Sequence, residues 1–274
     1  MAISIKPQIT FITGASSGIG RDCALHLHSR GYKVYGARRS IQQTNLNGIT
    51  TLPIDVTDDA SVQSAIDQII SVENRLDVVV NCAGFGIAGA IEDTSIEEAK
   101  AQFETNFFGT MRVCKYVLPI MRAQQSGLIV NVSSLGGLTS VPFQTVYCAS
   151  KFALEGLTEA LRMEVAPFGI HVVMIEPGDF ATGFTAGRQR TKQSQSNNAY
   201  SEKYHKALSQ MERDEMNGPS PQLIAQVLER ILNTPKPRLR YTTGRLDQRL
   251  GVALKRVLPH SLYERILLQT YGLQ

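Results

Sequence analysis

The stretch Ile9-Thr10-Phe11-Ile12-Thr13-Gly14-Ala15-Ser16-Ser17-Gly18-Ile19-Gly20 decides the fold. An apolar run of strand length leads into a turn with three glycines, and a segment of helical periodicity follows. Glycines at 14, 18 and 20 allow a tight turn and let backbone N–H groups approach a pyrophosphate at the helix N-terminus. A dinucleotide fingerprint lies between a strand and a helix in this way, although the spacing here is not the common GxGxxG.

Apolar, β-branched runs of strand length alternate with segments of helical periodicity along most of the chain. The predicted strands are Ile9–Thr13, Lys33–Ala37, Thr51–Ile54, Leu76–Asn81, Leu128–Ser133, His171–Ile175 and Leu239–Thr242. The predicted helices are Gly18–Arg30, Asp58–Asn74, Ile96–Gln124, Val146–Ala166 and Pro221–Leu232. Such alternation indicates βαβ units, whose right-handed crossovers place helices on both faces of a buried parallel sheet. We predict one α/β domain over residues 1–274, a Rossmann-type, doubly wound parallel sheet of about seven strands.

The composition of the 274-residue chain excludes several classes of protein. Hydrophobic residues make up 43% and charged residues 19%, which excludes a disordered chain, a coiled coil and a collagen. The longest stretch without a formal charge, Ala123 to Ser150, contains serines, glycines and a proline, so we predict no membrane span. The four cysteines are scattered and the five histidines do not cluster, so we expect no metal site and a reducing, cytoplasmic environment without an export signal.

The second predicted strand leads into Arg38 and Arg39, and this ending distinguishes between the two nicotinamide cofactors. An NAD site usually offers an acidic residue there, yet no Asp or Glu occurs between Asp22 and Asp55. Guanidinium groups at this place would pair instead with a 2′-phosphate, so we predict NADP(H), with solvated surface arginines as the alternative. Two further strand endings would lie at the same sheet edge, near the adenine and its ribose: Asp55-Val56 and Asn81-Cys82-Ala83-Gly84.

Hydroxyl, phenol and amine groups follow the fifth predicted strand. The strand leads into Ser133-Ser134, and Tyr147 and Lys151 open the next helix one turn apart on the same face. A phenol has a pKa of ~10, too high for easy proton exchange near neutrality. An ammonium ~4 Å from the phenolate would contribute ~4 kcal/mol at an effective dielectric of ~20, enough to lower that pKa by up to ~3 units. Alone, such a pair on an amphipathic helix is usually structural, but its place in this chain favours proton transfer.

Together these motifs make the sequence resemble the short-chain dehydrogenase/reductase family, over residues 6–182 and more loosely over the whole chain. The matching motifs are Thr13-Gly14-x-x-x-Gly18-x-Gly20, Asn81-x-Ala83-Gly84, Asn106, Ser134, Tyr147-x-x-x-Lys151 and Pro177-Gly178. Cys82 departs from the pattern, because the family commonly has a second asparagine there. The stretch from Pro237 to Pro259 is similar to the hydroxysteroid, retinol and acyl-dihydroxyacetone-phosphate reductase branch.

The resemblance implies a role for each matching residue. Tyr147 would exchange a proton with a carbonyl or alcohol oxygen while a hydride passes to or from the nicotinamide. Ser134 would hydrogen-bond that oxygen, and its thirteen-residue separation from Tyr147 favours it over Ser133. Lys151 would hold the nicotinamide ribose and lower the tyrosine pKa, while Asn106 would position a water in the proton relay. The remaining implied cofactor contacts are Gly14, Ser16, Ser17, Gly18, Ile19, Gly20, Arg38, Arg39, Asp55, Val56, Asn81, Ala83, Gly84, Pro177, Gly178 and Thr182.

Two segments depart from the alternation of strands and helices. Residues 179–222 are polar, and we expect them to form a lid over the substrate. One helical face within this segment is formed by Tyr200, Tyr204, Leu208 and Met211. Residues 236–274 form a basic, amphipathic extension with a net charge of +6, which leaves −2 for the rest of the chain. A solvated basic face is the commoner outcome of such a pattern, and contact with a membrane surface is the alternative.

The loops Phe85–Ala90 and Leu135–Phe143 are apolar or small, which suits a lipophilic ketone or secondary alcohol of steroid, retinoid or lipid type. Charge for an acidic substrate would have to come from Arg188 and Arg190 of the lid. We predict an NADP(H)-dependent oxidoreductase without a nucleic-acid partner, and the resemblance implies a homodimer or homotetramer. The alternatives are a non-catalytic NADP-binding regulator on the same fold and a peripheral-membrane reductase of acyl-lipid ketones.

Overall fold

Seven parallel strands and one antiparallel strand form the main sheet of the computed structural model, which describes residues 8–39, 45–46, 48–196 and 199–274. The strands are β1 (Ile9–Ile12), β2 (Lys33–Arg38), β3 (Asn45–Leu46), β4 (Ile49–Pro53), β5 (Val78–Asn81), β6 (Ile87–Ala88), β7 (Gly127–Val132), β8 (Ile170–Pro177), β9 (Gln189–Arg190) and β10 (Arg240–Thr243). All seven predicted strands are present, with ends shifted by up to two residues, whereas β3, β6 and β9 were not predicted. Residues 1–7, 40–44, 47 and 197–198 of the predicted domain, the last pair within the predicted lid, lie outside the described residues.

The helices alternate with these strands and continue into the C-terminal region. They are α1 (Gly18–Ser29), α2 (Asp59–Glu73), α3 (Ile96–Phe103), α4 (Gly109–Gln124), α5 (Thr145–Val165), α6 (Phe184–Gly187), α7 (Ser201–Met216), α8 (Gln222–Leu232), α9 (Leu246–Leu254) and α10 (His260–Thr270). The basic extension is therefore folded, since it comprises the edge strand β10 and the two helices α9 and α10. In the described part of the chain, no helix has the length and apolar character needed to cross a membrane.

The strand order is β10-β8-β7-β5-β1-β2-β4-β3, in which only β3 runs antiparallel to its neighbour. Beside β1 the direction of the order reverses, because β2 and β4 lie on one side of it and β5 lies on the other. Ligands of open α/β sheets bind in the crevice beyond the carboxyl ends of the strands at such a switch point. The topology thus brings the ends of β1 and β5 to the place where a site is expected.

Both faces of the central strands β1, β5, β7 and β8 are buried, which explains why these strands are mainly apolar rather than alternating. Successive side chains of a strand point to opposite faces, and β1 shows the consequence. Phe11 packs in the layer that includes α2, α4 and α5, whereas Ile12 packs in the layer that includes α1 and α8. These two layers fix the sheet rigidly, so the strand ends form a stable platform for the site.

The predicted helix over Ile96–Gln124 is interrupted, which corrects the expectation from its periodicity. α3 ends at Phe103, and a π-helical turn over Glu104–Phe108 joins it to α4. Such turns are rare and occur frequently at functional sites. Asn106 lies in this turn, so the interruption determines where its side chain points.

Candidate active site

A cavity of about 830 Å³ lies at the carboxyl edge of the sheet. It receives the ends of β1, β2, β4, β5, β7 and β8, together with residues of α6, α7, α9 and α10. All the site residues predicted from the sequence line this cavity, with the exceptions of Asn81 and Asn106. The strand ends and the C-terminal helices therefore supply two different walls of the same space.

The turn between β1 and α1 is packed too closely for larger residues. Gly14 has a φ of +67°, and a Cβ on it would lie 2.9 Å from the backbone of Ala83. The hydroxyl of Thr13 holds the facing loop, since it accepts hydrogen bonds of 3.0 Å from the N–H groups of Cys82 and Ala83. Ser17 precedes α1 without capping it through its side chain. Free N–H groups at this helix N-terminus suit an anion such as a pyrophosphate.

The wall beyond β2 is basic. Arg38 ends β2, Arg39 follows it, and both line the cavity. Asp55 lies nearby in the same wall and accepts hydrogen bonds from the N–H of Thr57 at 2.9 Å and from its hydroxyl at 2.8 Å. The backbone hydrogen bond from Thr57 lowers the pKa of Asp55, so this carboxylate is ionised. A close-packed glycine turn, an uncapped helix end and two arginines are what an anionic dinucleotide requires, so the residues present fit such a cofactor.

The phenol of Tyr147 and the hydroxyl of Ser134 meet inside the cavity. A Cβ built on Gly136 would lie 3.2 Å from the Tyr147 ring and 3.3 Å from Ser134 Oγ, which places the two groups side by side. The N–H of Gly136 donates a 3.0 Å hydrogen bond to Ser134 Oγ and so fixes its position. Ser133 also borders the cavity but is almost fully buried. It faces Glu155, because a Cβ built on Gly137 would touch the side chains of both Ser133 and Glu155.

Lys151 lies on the same face of α5 as Tyr147, as its spacing predicts. Its Nζ donates a 2.9 Å hydrogen bond to the carbonyl of Val132 and lies 6.0 Å from the centroid of the Tyr147 ring. The same amine is 3.9 Å from the position that a Cβ on Gly84 would occupy. Burial lowers the pKa of Lys151 to about 8, which leaves the amine mainly protonated at neutral pH.

The expected lowering of the tyrosine pKa is wrong for this structure. Burial raises the pKa of Tyr147 above its usual value, and the side-chain hydrogen bond with Ser134 acts in the opposite direction. Desolvation dominates because the phenol is enclosed, and the Lys151 amine lies 6.0 Å from the centroid of its ring. The phenol therefore keeps its proton at neutral pH, which suits a group that donates one.

Two predicted residues do not reach the cavity. Asn81 is buried in the sheet, where its Nδ2 donates a 2.9 Å hydrogen bond to Asn131. Asn106 clamps the loop after β5, because it accepts a 3.1 Å hydrogen bond from the N–H of Phe85 and donates a 3.0 Å bond to the carbonyl of the same residue. Its Nδ2 also lies 3.2 Å from Ser150 Oγ. Both side chains thus stabilise the frame of the site rather than its surface.

The opposite wall contains residues that the motifs did not identify. Phe184 packs against Tyr147 with a ring-centroid distance of 5.7 Å, and further apolar contacts come from the C-terminal helices. The lining residues of this wall include Met211, Leu250, Val252, Leu254, Tyr263, Ile266, Leu267 and Tyr271. Met211 belongs to the predicted helical face of the lid, and Leu250, Leu254, Ile266 and Leu267 belong to the predicted amphipathic helices of the extension. The amphipathic pattern of the extension was a signal for the remainder, although it does not show which side of the helices faces the cavity.

The charged residues of this wall are not the lid arginines that the sequence offered for an acidic substrate. Arg188 and Arg190 do not line the cavity, since they form ion pairs with Glu215 and Glu212. The charged lining residues near the catalytic wall are instead acidic: Asp179, Asp214, Glu215 and Asp247. Burial raises the pKa of Asp179 to about 6, together with repulsion by Glu215 and Asp214. Gln248 donates a hydrogen bond to the Asp179 carboxylate and stands beside it.

The chain is similar to curated proteins over nearly its full length. It is 41% identical over 270 residues to the 3-ketodihydrosphingosine reductase of Bacteroides thetaiotaomicron, an alignment that covers 98% of this chain and 100% of that protein. It is 34% identical to human 17-beta-hydroxysteroid dehydrogenase type 1, over 86% of this chain and 77% of that protein. The likeness to a hydroxysteroid enzyme agrees with the resemblance seen in the C-terminal sequence.

Solved structures share the fold. A short-chain dehydrogenase from Streptomyces avermitilis superposes with a TM-score of 0.82 at 32% identity, covering 97% of both chains. A short chain dehydrogenase/reductase from Burkholderia phymatum, solved with NAD, superposes with a TM-score of 0.78 at 24% identity, covering 92% of this chain and 93% of that one. Residues 8–193 match the sequence profile described as short chain dehydrogenase. The chain therefore belongs to the short-chain dehydrogenase/reductase family of oxidoreductases that use a nicotinamide cofactor.

Proposed function

We propose that this protein is an NADP(H)-dependent reductase of long-chain ketones, with Tyr147 as the proton donor. One observation carries the proposal: the hydroxyls of Tyr147 and Ser134 lie side by side in a cavity that has a glycine turn with two arginines at one end and apolar helices at the other. A cofactor and a lipophilic substrate would meet at those hydroxyls. NADPH, when bound, supplies the hydride that reduces the carbonyl carbon.

Among the residues around the substrate carbonyl, one donates a proton to its oxygen and another orients that oxygen. Tyr147 retains its proton at neutral pH and can give it to the oxygen of the reduced carbonyl. Ser134, held by the N–H of Gly136, donates a hydrogen bond that orients the same oxygen. Lys151 supplies a buried positive charge beside Tyr147, which favours loss of the phenolic proton during the reaction. Asn106 acts as a positioning residue, because it fixes the Phe85 loop against α5.

The preference for NADP(H) over NAD(H) rests on the wall beyond β2. Arg38 and Arg39 line the cavity where a 2′-phosphate would lie, and charge-assisted hydrogen bonds to phosphate are among the strong ones. No carboxylate occurs in the sequence between Asp22 and Asp55 to bind free ribose hydroxyls in their place. This wall therefore offers a favourable contact to a 2′-phosphate, and β2 supplies no carboxylate that would bind the ribose of NAD(H).

The substrate half of the cavity suits a long alkyl chain with a polar group near the ketone. Leucines of α9 and α10 provide the apolar surface, and Asp179, with a pKa of about 6, supplies a negative charge at neutral pH. Asp214 and Glu215 are paired with Arg245 and Arg188. 3-Ketodihydrosphingosine, the compound in the name of the Bacteroides relative, combines a ketone, a long alkyl chain and an amino group. A protonated amine would be attracted by Asp179, so we propose this class of amino ketone as the substrate.

The test is NADPH oxidation with a panel of carbonyl compounds. The panel contains 3-ketodihydrosphingosine, a plain ketone of the same chain length, a 17-ketosteroid and retinal. We expect the fastest turnover with the amino ketone and slower turnover with the plain ketone. NADPH binding without oxidation of NADPH by any of them would favour the non-catalytic regulator, and a clear preference for the steroid or retinal would overturn the proposed substrate class.

A further inference from the structure

The C-terminal helices expose several large apolar side chains: six of the fifteen found among the described residues lie between Leu246 and Ile266. Leu246 and Leu250 of α9 are 67% and 54% exposed, and Val257 between the helices is 74% exposed. We define the tail face as the exposed apolar side chains on and between α9 and α10: Leu246, Leu250, Leu254, Val257, Leu262 and Ile266. The three leucines of α9 follow one another at intervals of four residues, so they share one side of that helix. Large apolar patches on a protein surface mark an interaction site.

Basic side chains border the tail face. Arg249 precedes Leu250, Arg256 precedes Val257 and Arg265 precedes Ile266, and all three arginines are exposed. Among the described residues, no carboxylate lies within ion-pair distance of these arginines, whereas Arg240 and Arg245 are paired. An apolar face with arginines along its edge is complementary to a surface that is apolar inside and negatively charged outside.

The tail face is continuous with the mouth of the cavity. Leu250, Leu254 and Ile266 belong to the cavity lining, and the same side chains are exposed to solvent. A molecule leaving an apolar phase at the tail face would therefore reach the cavity without crossing water.

We infer that α9 and α10 dock this protein on an anionic lipid bilayer and open its cavity toward the membrane. The leucines and Val257 insert among the acyl chains at the interface, and the three arginines contact anionic headgroups. Each arginine near such a surface is expected to strengthen binding about fivefold. Binding to a bilayer is measured without turnover, so this proposal is tested independently of the proposed reaction.

The test is cosedimentation of the full chain with vesicles of phosphatidylcholine alone or mixed with phosphatidylglycerol. We expect binding to the mixed vesicles, weak binding to phosphatidylcholine, and loss of binding at high salt. The double variant Arg249→Gln with Arg265→Gln removes two charges and should weaken binding about 25-fold. Its matched control, Lys100→Gln with Lys115→Gln, removes two exposed charges elsewhere and should bind as the unchanged protein does.

The apolar part of the tail face has its own pair of variants. Leu246→Gln with Val257→Gln should weaken binding about tenfold or more, because neither side chain could then be buried among acyl chains. Val72→Gln with Met163→Gln changes two side chains of similar exposure, 64% and 72%, and should leave binding unchanged. None of the residues substituted in the four double variants lines the cavity. NADPH oxidation with a water-soluble ketone should therefore be the same in all four.

Three results would overturn the inference. The first is failure of the unchanged protein to bind the anionic vesicles, and the second is equal weakening by the control variants. The third is a stable dimer that Leu246→Gln with Val257→Gln dissociates in light scattering, since the tail face would then be covered by a second copy of the chain. The proposed reaction could survive all three, because turnover with dissolved substrate is measured without vesicles.

Discussion

The two halves of the cavity are built on different principles. The nucleotide half consists of strand ends, and each residue there is fixed by sheet pairing and by two buried layers of helices. The substrate half consists of α6, α7, α9 and α10, which lie outside the main sheet. Tyr147, Ser134 and Lys151 stand at the boundary between the halves. We therefore expect substitutions to alter cofactor binding and substrate binding separately, whereas turnover should depend on both halves.

The largest effect is expected at the boundary. Tyr147→Phe removes the phenolic proton donor and should reduce kcat by about 10³-fold or more, because general acid catalysis contributes on that scale. NADPH binding, measured by fluorescence titration, should stay nearly unchanged, since the ring remains. Tyr204→Phe is the matched control, because its hydroxyl is buried outside the cavity near the carbonyl of Ala88. Retention of turnover by Tyr147→Phe would remove the proposed donor.

A second effect at the boundary is the pH dependence of stability from Lys151. Its pKa is about 8 in the folded protein and 10.5 when solvated, so the unfolded chain binds more protons between these values and the folded state gains stability as pH rises through them. The gain is up to about 3 kcal/mol at ~1.4 kcal/mol per unit. Lys151→Met lacks this group, so its stability relative to the unchanged protein should fall from pH 8 to pH 10.5. Urea denaturation of both proteins at several pH values measures this, and a constant difference would contradict the lowered pKa.

The nucleotide half is tested by removing one charge at the end of β2. Arg38→Gln should raise the KM for NADPH about 10–100-fold, because hydrogen bonds to a charged phosphate contribute ~1.5–3 kcal/mol. The KM for NADH should change little, since NADH carries no 2′-phosphate. If the unchanged enzyme already prefers NADH, the interpretation of this wall is wrong.

The substrate half is tested by a matched removal of one charge. Asp179→Asn preserves the size of the side chain and its contact with Gln248. The KM for 3-ketodihydrosphingosine should rise about fivefold, as a partly exposed ion pair contributes ~1 kcal/mol. The plain ketone of equal length is the control, and its KM should stay the same. An equal rise in KM for both ketones, or a rise in the KM for NADPH, would contradict the separate recognition of cofactor and substrate.

The sequence predicted the nucleotide half well because its residues follow from local rules. A glycine turn after a strand, arginines at a strand end and a Tyr–Lys pair one helical turn apart each have a fixed place once the sheet is formed. Gly14, Arg38, Ser134 and Tyr147 accordingly all line the cavity. The short strands β6 and β9 were missed because two residues carry no periodicity.

The errors have physical causes that a sequence does not show. The pKa of Tyr147 rises because burial outweighs the hydrogen bond with Ser134, and burial depends on the enclosing helices. Arg188 was a candidate for binding an acidic substrate, but Glu215 from α7 binds it. Each error concerns a contact between segments that are distant in the sequence.

The central claim is that one cavity brings a cofactor and a ketone together at Tyr147 and Ser134. A crystal structure with NADP and 3-ketodihydrosphingosine tests it most directly. We expect the ketone oxygen within hydrogen-bond distance of both hydroxyls, the 2′-phosphate beside Arg38, and the alkyl chain along α9 and α10. A ketone oxygen bound away from Tyr147 and Ser134, or a phosphate away from Arg38, would contradict it.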